Sequence, residues 1–258
     1  MTSKACAHTV TSDPRAAILS SGSRRIDQQA YLLHSTPYRE TSLVVDLFTR
    51  DAGRVAAVAK GAKRPRSALR AVLLQFQPLN VGLSGRNELR TLVSAEWEGG
   101  TIAPRGSALL CAFYLNELLV RLLPREDPHP VLYDGYREAL AALSAGSPPD
   151  LALRRFEWLL LRETGYAPDL LADAQHRPID ASRNYRWQPS GGFVAADPAD
   201  EEAGQHVSGA TLRDLACGSF DTNATRSQAK YLTRAILAHH LDGQVLRTRQ
   251  ILIDLHKL

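Results

Sequence analysis

Short alternating runs of apolar and polar residues fill the first hundred positions, and a three-to-four-residue period replaces them afterwards. Gln29 to Ser35 is apolar, and Ser42 to Thr49 sets Leu43, Val45 and Leu47 on one face. Arg54 to Ala59 follows a turn at Asp51-Ala52-Gly53. Val72, Leu74 and Phe76 alternate up to Pro78, which has no backbone donor and so restricts that run to an edge or a bulge. The most regular run has Leu89, Thr91, Val93, Ala95 and Trp97 on one face and Glu88, Arg90, Ser94 and Glu96 on the other. The turn before it, Ser84-Gly85-Arg86-Asn87, suits a hairpin. Five short strands in about 70 residues leave no room for crossover helices and predict a small closed barrel. A five-stranded OB-type barrel and an SH3-like barrel both fit. Ser67 to Leu73 could be the short helix that OB barrels carry between their third and fourth strands.

Beyond Gly99-Gly100 the period is helical. Leu110, Tyr114, Leu118 and Leu122 recur every four residues until Pro124 stops them. A second helix starts at Pro130 and carries Leu132, Tyr136, Leu140 and Leu143; a third, with Asp150 as its expected N-cap, carries Leu153, Phe156 and Leu160 and ends at Gly165. Residues 173–206 are irregular and polar, with a small hairpin signal around Tyr185-Arg186-Trp187 and Gly191-Gly192-Phe193 and an acid-rich, solvated stretch at Asp197 to Glu202. Helical pattern returns at Ser208 to Leu215 and at Thr225 to Leu241, and a last short helix is capped by Thr248 with Leu252 and Leu255 inward. The expected class is α+β, an all-β barrel followed by an α-helical domain. The expected divisions are a tail at 1–26, a barrel at 27–100, a helical bundle at 101–172, an irregular lobe at 173–206, and C-terminal helices at 207–258 that pack on the bundle.

Charge sharpens this outline. Residues 1–100 carry 14 Lys+Arg against 8 Asp+Glu, while the remainder carries 17 against 19, so the positive excess belongs to the barrel half. It is densest between Arg50 and Arg70, where Arg50, Arg54, Lys60, Lys63, Arg64, Arg66 and Arg70 face one acid, Asp51. Gly61 and Pro65 break any strand or helix there, which places several of these cations on an exposed loop at a strand end, a setting that suits a polyanion. A solvated basic loop kept for solubility is the plainer alternative.

Candidate chemistry is sparse. Cys6, Cys111 and Cys217 lie far apart and support neither a disulfide framework nor a CxxC zinc site, and Cys111 falls in an apolar helical run as a core residue. A reducing, cytoplasmic setting fits. The run Gly61-Ala62-Lys63 is not a P-loop, the eight histidines form no HExxH or HxxH spacing, and no serine sits in a GxSxG elbow. No stretch reaches the roughly 20 apolar residues of a membrane helix, and the first 26 residues lack the apolar core of a signal peptide. No catalytic residue, metal site or cofactor is expected. Among the aromatics of the front half, Phe76 and Trp97 lie on apolar faces and read as core, whereas Tyr38, in the polar turn Thr36-Pro37-Tyr38-Arg39-Glu40, is the better candidate to stack on a base.

The run AYLLHSTPYRETSLVVDLFTRDAGRVAAVAKGAKRPRS resembles the N-terminal segment of the RecO family of bacterial recombination mediators. LLQFQPLNVGLSGRNELRTLVSAE, FYLNELLVRLL, LRRFEWLLLRETGY, the short GGF and the closing LRTRQILIDL continue the likeness, which spans about residues 28–258. The resemblance implies an OB-fold followed by a helical domain. It implies binding of single- and double-stranded DNA, annealing of complementary strands, and contact with the acidic C-terminal tail of single-stranded DNA-binding protein. It also implies partnership with RecR and help in loading RecA. Some family members carry two CxxC pairs as a zinc lobe; here Asp173-Ala174-Gln175-His176 and Val194-Ala195-Ala196-Asp197 stand at those places, so packing of Tyr185, Trp187 and Phe193 is expected to hold the lobe.

The expected DNA contacts are Lys60, Lys63, Arg64, Arg66 and Arg70, with Arg39 and Arg54 further out and Tyr38 as a stacking residue. For the acidic tail the candidates are Arg121, Arg154, Arg155 and Arg162, on or beside the helices. Two other classes remain open at this point: a protein–protein scaffold whose basic loop meets an acidic protein, and a nuclease, which would need clustered carboxylates that the basic region lacks.

Overall fold

The computed structural model describes residues 25–100, 102–196 and 206–255. Cys6, most of the expected tail, the acidic stretch that starts at Asp197, and the side chains of Leu252 and Leu255 lie outside the described residues. Strands β1 (Ile26–Tyr38), β2 (Ser42–Thr49), β3 (Gly53–Ala59), β4 (Pro78–Ser84) and β5 (Leu89–Trp97) close a barrel in the order β1-β2-β3-β5-β4. Neighbours are antiparallel except for β3 and β5, which run parallel, and a short helix α1 (Ala68–Val72) joins β3 to β4. This is the OB arrangement rather than the SH3-like one. Leu32, Val45, Leu47, Val55, Leu79, Val81 and Leu83 fill the interior.

Two strand readings are corrected. The alternation Val72, Leu74, Phe76 is not a strand: Val72 ends α1, Leu74 is exposed, and Phe76 is buried with φ at 66°. A left-handed backbone at a bulky residue is costly, and here the buried edge-to-face contact with Phe113, at 4.9 Å between ring centroids, offsets it. Pro78 begins β4 instead, the position where its missing N–H costs least. In β5 the alternation breaks at a bulge. Gly82 pairs with Ser94 but Leu83 pairs with Leu92, so Val93 is an extra residue. Leu92 therefore faces the core, while Leu89, Val93 and Trp97 are 42%, 51% and 54% exposed. Trp97 is not a core residue.

The helices α2 (Ser107–Leu122), α3 (Pro130–Ser144) and α4 (Pro149–Glu163) follow, and Asp150 lies in the first turn of α4 rather than at its cap, which is Pro148. The lobe is more regular than its composition suggests: β6 (Asn184–Gln188), β7 (Gly192–Ala195) and β8 (Val207–Ser208) form a sheet in the order β7-β6-β8. Then come α5 (Gly209–Ala216), capped by the Ser208 hydroxyl, α6 (Asn223–His240), capped by Thr222, and α7 (Arg247–Leu255).

The barrel interior is a core of its own, and the outer wall of the barrel joins the core of the helices. Tyr31 and Phe48, on the outer wall of β1 and β2, meet Tyr133 and Tyr136 of α3 at centroid distances of 5.0–6.1 Å. A bulge at Leu33 takes it out of the β1–β2 ladder, and its carbonyl accepts from the Asn116 side chain at 3.0 Å and from Gln75. Gly53 has φ 67°, and a Cβ there would sit 2.1 Å from the Asp127 carbonyl oxygen. Only glycine lets the segment after α2 lie this close to β3; the Glu126 N–H then donates to the Arg54 carbonyl at 3.0 Å.

Candidate nucleic-acid interface

Sequence explains the shape of the loop after β3. Gly61, at φ 71°, turns the chain out of the strand, and Ala62 is buried as the loop's apolar anchor. The Arg64 N–H donates to the Gly61 carbonyl at 3.0 Å and the Ser67 N–H to the Arg64 carbonyl at 3.1 Å, so the loop is a series of turns that ends at α1. Lys60, Lys63, Arg64, Arg66 and Arg70 are all exposed, and among the described residues none of them makes an ion pair. The Lys63 N–H donates to the Thr41 carbonyl at 2.9 Å, which ties this loop to the β1–β2 turn. Tyr38 and Arg39 therefore stand at the same end of the barrel. Tyr38 is the last residue of β1 and half-buried rather than a free turn residue, and the Arg39 guanidinium lies 5.2 Å from its ring centroid.

Arg54 does not share that surface. Its guanidinium is buried against α2, donates to the carbonyls of Leu119 and Val120 in the helix's last turn, and faces Asp46 at 3.5 Å. A cation there complements the carbonyl end of the helix. Burial pushes the Arg54 guanidinium below its ordinary value, against the pull of Asp46; burial likewise raises Asp46, despite Arg54, Arg125 and His34 nearby. Arg54 fastens the barrel to the helices.

The four helical-domain arginines separate too. Arg162 is exposed on the last turn of α4. Arg155 lines a cleft of about 590 Å³ between α3 and α4, whose lining holds two arginines, Arg155 and Arg226, and two acids, Glu138 and Asp150. Arg121 is held by Glu117 at 2.9 Å and donates to Gln244 at 3.1 Å. Arg154 is 5% exposed and paired with Glu157, which is fully buried. Glu157 also accepts from the Tyr114 hydroxyl at 2.6 Å and the Thr233 hydroxyl at 2.9 Å, so each of its oxygens is satisfied. The Arg154 Nε has no hydrogen-bond partner among the described residues.

Arg154 forms part of a second cavity, of about 290 Å³, between α2, α4, α6 and α7. Its wall is apolar, with Leu153, Leu237, Leu241, Val245 and Leu246, and Arg234 and Arg249 join Arg154 around it. No acid lines it. Partial burial of the Arg234 head group, followed by the charges of Arg249 and Arg154, holds Arg234 below its ordinary value. With Arg154 paired to Glu157, the charges of Arg234 and Arg249 beside an apolar space favour an anion that carries an apolar end. Sequence spacing had no way to single out Arg234 and Arg249, because α6 and α7 reach the cavity only through tertiary packing.

The lobe does not suit a metal. Asp173 stands at the first CxxC position, and its Oδ1 accepts the N–H groups of Gln175 and Arg177, both at 2.9 Å, while Oδ2 accepts from the Arg177 Nε at 2.8 Å. Burial would raise this carboxyl, but those bonds hold it below its ordinary value. The turn is closed by a carboxylate whose oxygens are already occupied, and among the described residues no group of three His, Cys, Asp or Glu side chains is placed to bind a metal. Tyr185 and Phe193 are buried beneath this turn, and Trp187 packs on His239 at 5.9 Å.

No helix of the described residues is long and apolar enough to cross a membrane. Two family models match the chain: Recombination protein O N terminal over residues 24–100, and Recombination protein O C terminal over residues 104–250. A DNA repair protein RecO of Ralstonia nicotianae is 51% identical over 235 residues, covering 91% of this chain and 86% of that one. One from Burkholderia pseudomallei is 49% identical over 244 residues (95% and 89%), and one from Azoarcus sp. is 49% identical over 239 residues (91% and 98%).

Proposed function

The chain belongs to the RecO family of DNA repair proteins, and from that premise we propose that it is a non-catalytic mediator of recombinational repair. It binds single- and double-stranded DNA at the barrel end formed by Lys60, Lys63, Arg64, Arg66 and Arg70, with Arg39 and Tyr38 beside them. It anneals complementary strands and, with RecR, helps to load RecA in the cytoplasm. The carrying observation is that these five cations are exposed on the loop after β3 and the helix α1 that follows it, and that none of them is paired with an acid among the described residues.

Phosphate contacts of this kind position a strand without reading its bases, so binding is nearly indifferent to sequence. Annealing needs only that the repulsion between two polyanions be screened while bases find their partners. A dense row of cations supplies that screening, and no covalent step is involved.

The cavity at α7 completes the reading. An acidic peptide with an apolar C-terminal residue, the chemistry of the single-stranded DNA-binding protein's tail, matches an apolar wall with Arg154, Arg234 and Arg249 around it. The neutral balance of the α3–α4 cleft makes it the poorer host.

The test is the salt dependence of single-strand affinity. Replacing Lys63, Arg64 and Arg66 together with Ala should weaken binding and flatten the logarithmic salt slope by about two units, at roughly 0.7 per phosphate contact. An unchanged slope removes the loop from the interface.

A further inference from the structure

The helix α7 is fastened from a distance. The Glu117 carboxylate, on α2, accepts the N–H groups of Arg247 and Thr248 at 2.9 Å each and the Thr248 hydroxyl at 2.7 Å. Those N–H groups belong to the first turn of α7 and have no partner within the helix. The cap is therefore supplied by a residue some 130 positions earlier in the chain, not by Thr248 itself. Arg121 completes the fastening: it pairs with Glu117 and donates to Gln244, in the turn that leads into α7. Positive φ at Asp242 and Gly243 reverses the chain there.

This fastening decides what the cavity contains. Gln244, Val245, Leu246 and Arg249 form one of its sides, and all four reach it only because the α6–α7 turn and α7 are held against α2. Arg249 arrives beside Arg234, whose guanidinium is lowered first by burial and then by Arg249, while the charge of Arg154 is offset by Glu157. Closure without a ligand thus works against the repulsion between Arg249 and Arg234, and an anion between these two guanidiniums turns it into attraction.

We infer that α7 is a strap over the cavity, that Glu117 is its latch, with Arg121 as the residue that positions Glu117, and that an acidic ligand and the latched strap stabilise each other. The inference rests on the reading of the cavity as the site for an acidic, apolar-ended peptide. Glu117 and Arg121 act through α7 and do not themselves touch the ligand. By linkage, whatever the ligand gains from a latched strap, the strap gains from the ligand.

The experiment uses the full chain and a synthetic peptide of several aspartates ending in phenylalanine with a free carboxylate. Glu117→Ala should weaken peptide binding about tenfold, and Arg249→Ala by a similar factor. The double variant should lose about tenfold rather than a hundredfold, because a released strap no longer delivers Arg249. Glu117→Gln keeps an oxygen for the N–H groups and should lose no more than about threefold. Hydrogen exchange of residues 246–250 should slow when the peptide binds the wild type and should be fast in Glu117→Ala with or without it. A hundredfold loss in the double variant, or wild-type exchange unmoved by the peptide, overturns the strap while leaving the cavity reading in place. A wild-type chain that does not bind the peptide overturns both.

Discussion

The loop after β3 and the cavity beneath α7 each gather basic side chains, and they differ in everything around the charge. Cations on the loop stand in water on short turns, and none is paired among the described residues. Those of the cavity project from helices into apolar surroundings, and one of them is bound to a fully buried glutamate. In water a single pair of charges interacts by about 1 kcal/mol at 4 Å, so the loop gains by number and suits a repeating anion. In the cavity each charge counts for more and its direction is set, which suits a single anion of defined shape. Charge type alone says little about partner; its dielectric and its rigidity say more.

Three changes would break or sharpen this contrast. Glu157→Ala should have the largest effect. It leaves Arg154 buried without its counter-charge and strands the Tyr114 hydroxyl, while the Thr233 hydroxyl keeps the Ala229 carbonyl, for a loss of about 3–5 kcal/mol in denaturant unfolding. A loss under about 1 kcal/mol would mean that the cavity's charge is as dispensable as the loop's. Arg54→Ala comes next, at about 1–3 kcal/mol, because it uncovers the last carbonyls of α2 and leaves Asp46 with only Arg125 and His34. It should leave the salt slope of DNA binding unchanged. A slope reduced by about 0.7 would return Arg54 to the DNA surface. The smallest effect belongs to the loop: the Lys63, Arg64, Arg66 triple variant should keep its stability within about 0.5 kcal/mol of wild type, although it loses DNA affinity.

Acid should separate the regions as well. Burial alone would raise Glu117, but the N–H groups of Thr248 and Arg247, the Thr248 hydroxyl and Arg121 outweigh it and hold the carboxyl below its ordinary value. A depressed carboxyl stabilises the fold above the ordinary carboxylate pKa and loses that contribution as pH falls through its own lower value. The Thr248 amide signal should therefore stay put on acidification through the ordinary carboxylate range and move only below it. A midpoint at or above the ordinary value would contradict the fastening of α7.

The barrel was legible because its strands alternate, and the helices α2–α4 because their stripes repeat every three to four residues. What was lost lay in single residues whose role depends on a neighbouring strand. The register of β4 against β5 sets the bulge at Val93, and that bulge, rather than the spacing of β5 itself, puts Trp97 outside. The burial of Phe76 was legible but its departure from a strand was not, because its left-handed backbone is held by a distant contact with Phe113. The basic loop was legible as a run of charge, since proximity in sequence is enough to crowd it. The destinations of Arg54, Arg121 and Arg154 were not, because each is decided by a carboxylate or carbonyl on another element.

The shared aromatic core of Tyr31, Phe48, Tyr133 and Tyr136, with the Leu33 carbonyl held by Asn116, joins the two halves without a hinge. A polynucleotide at the barrel end and a peptide at α7 would sit at a separation that domain closure cannot shorten. Any transfer between them is then governed by tether length. The reach of the chain that carries the peptide, not motion within this protein, would set the local concentration of DNA that the barrel meets.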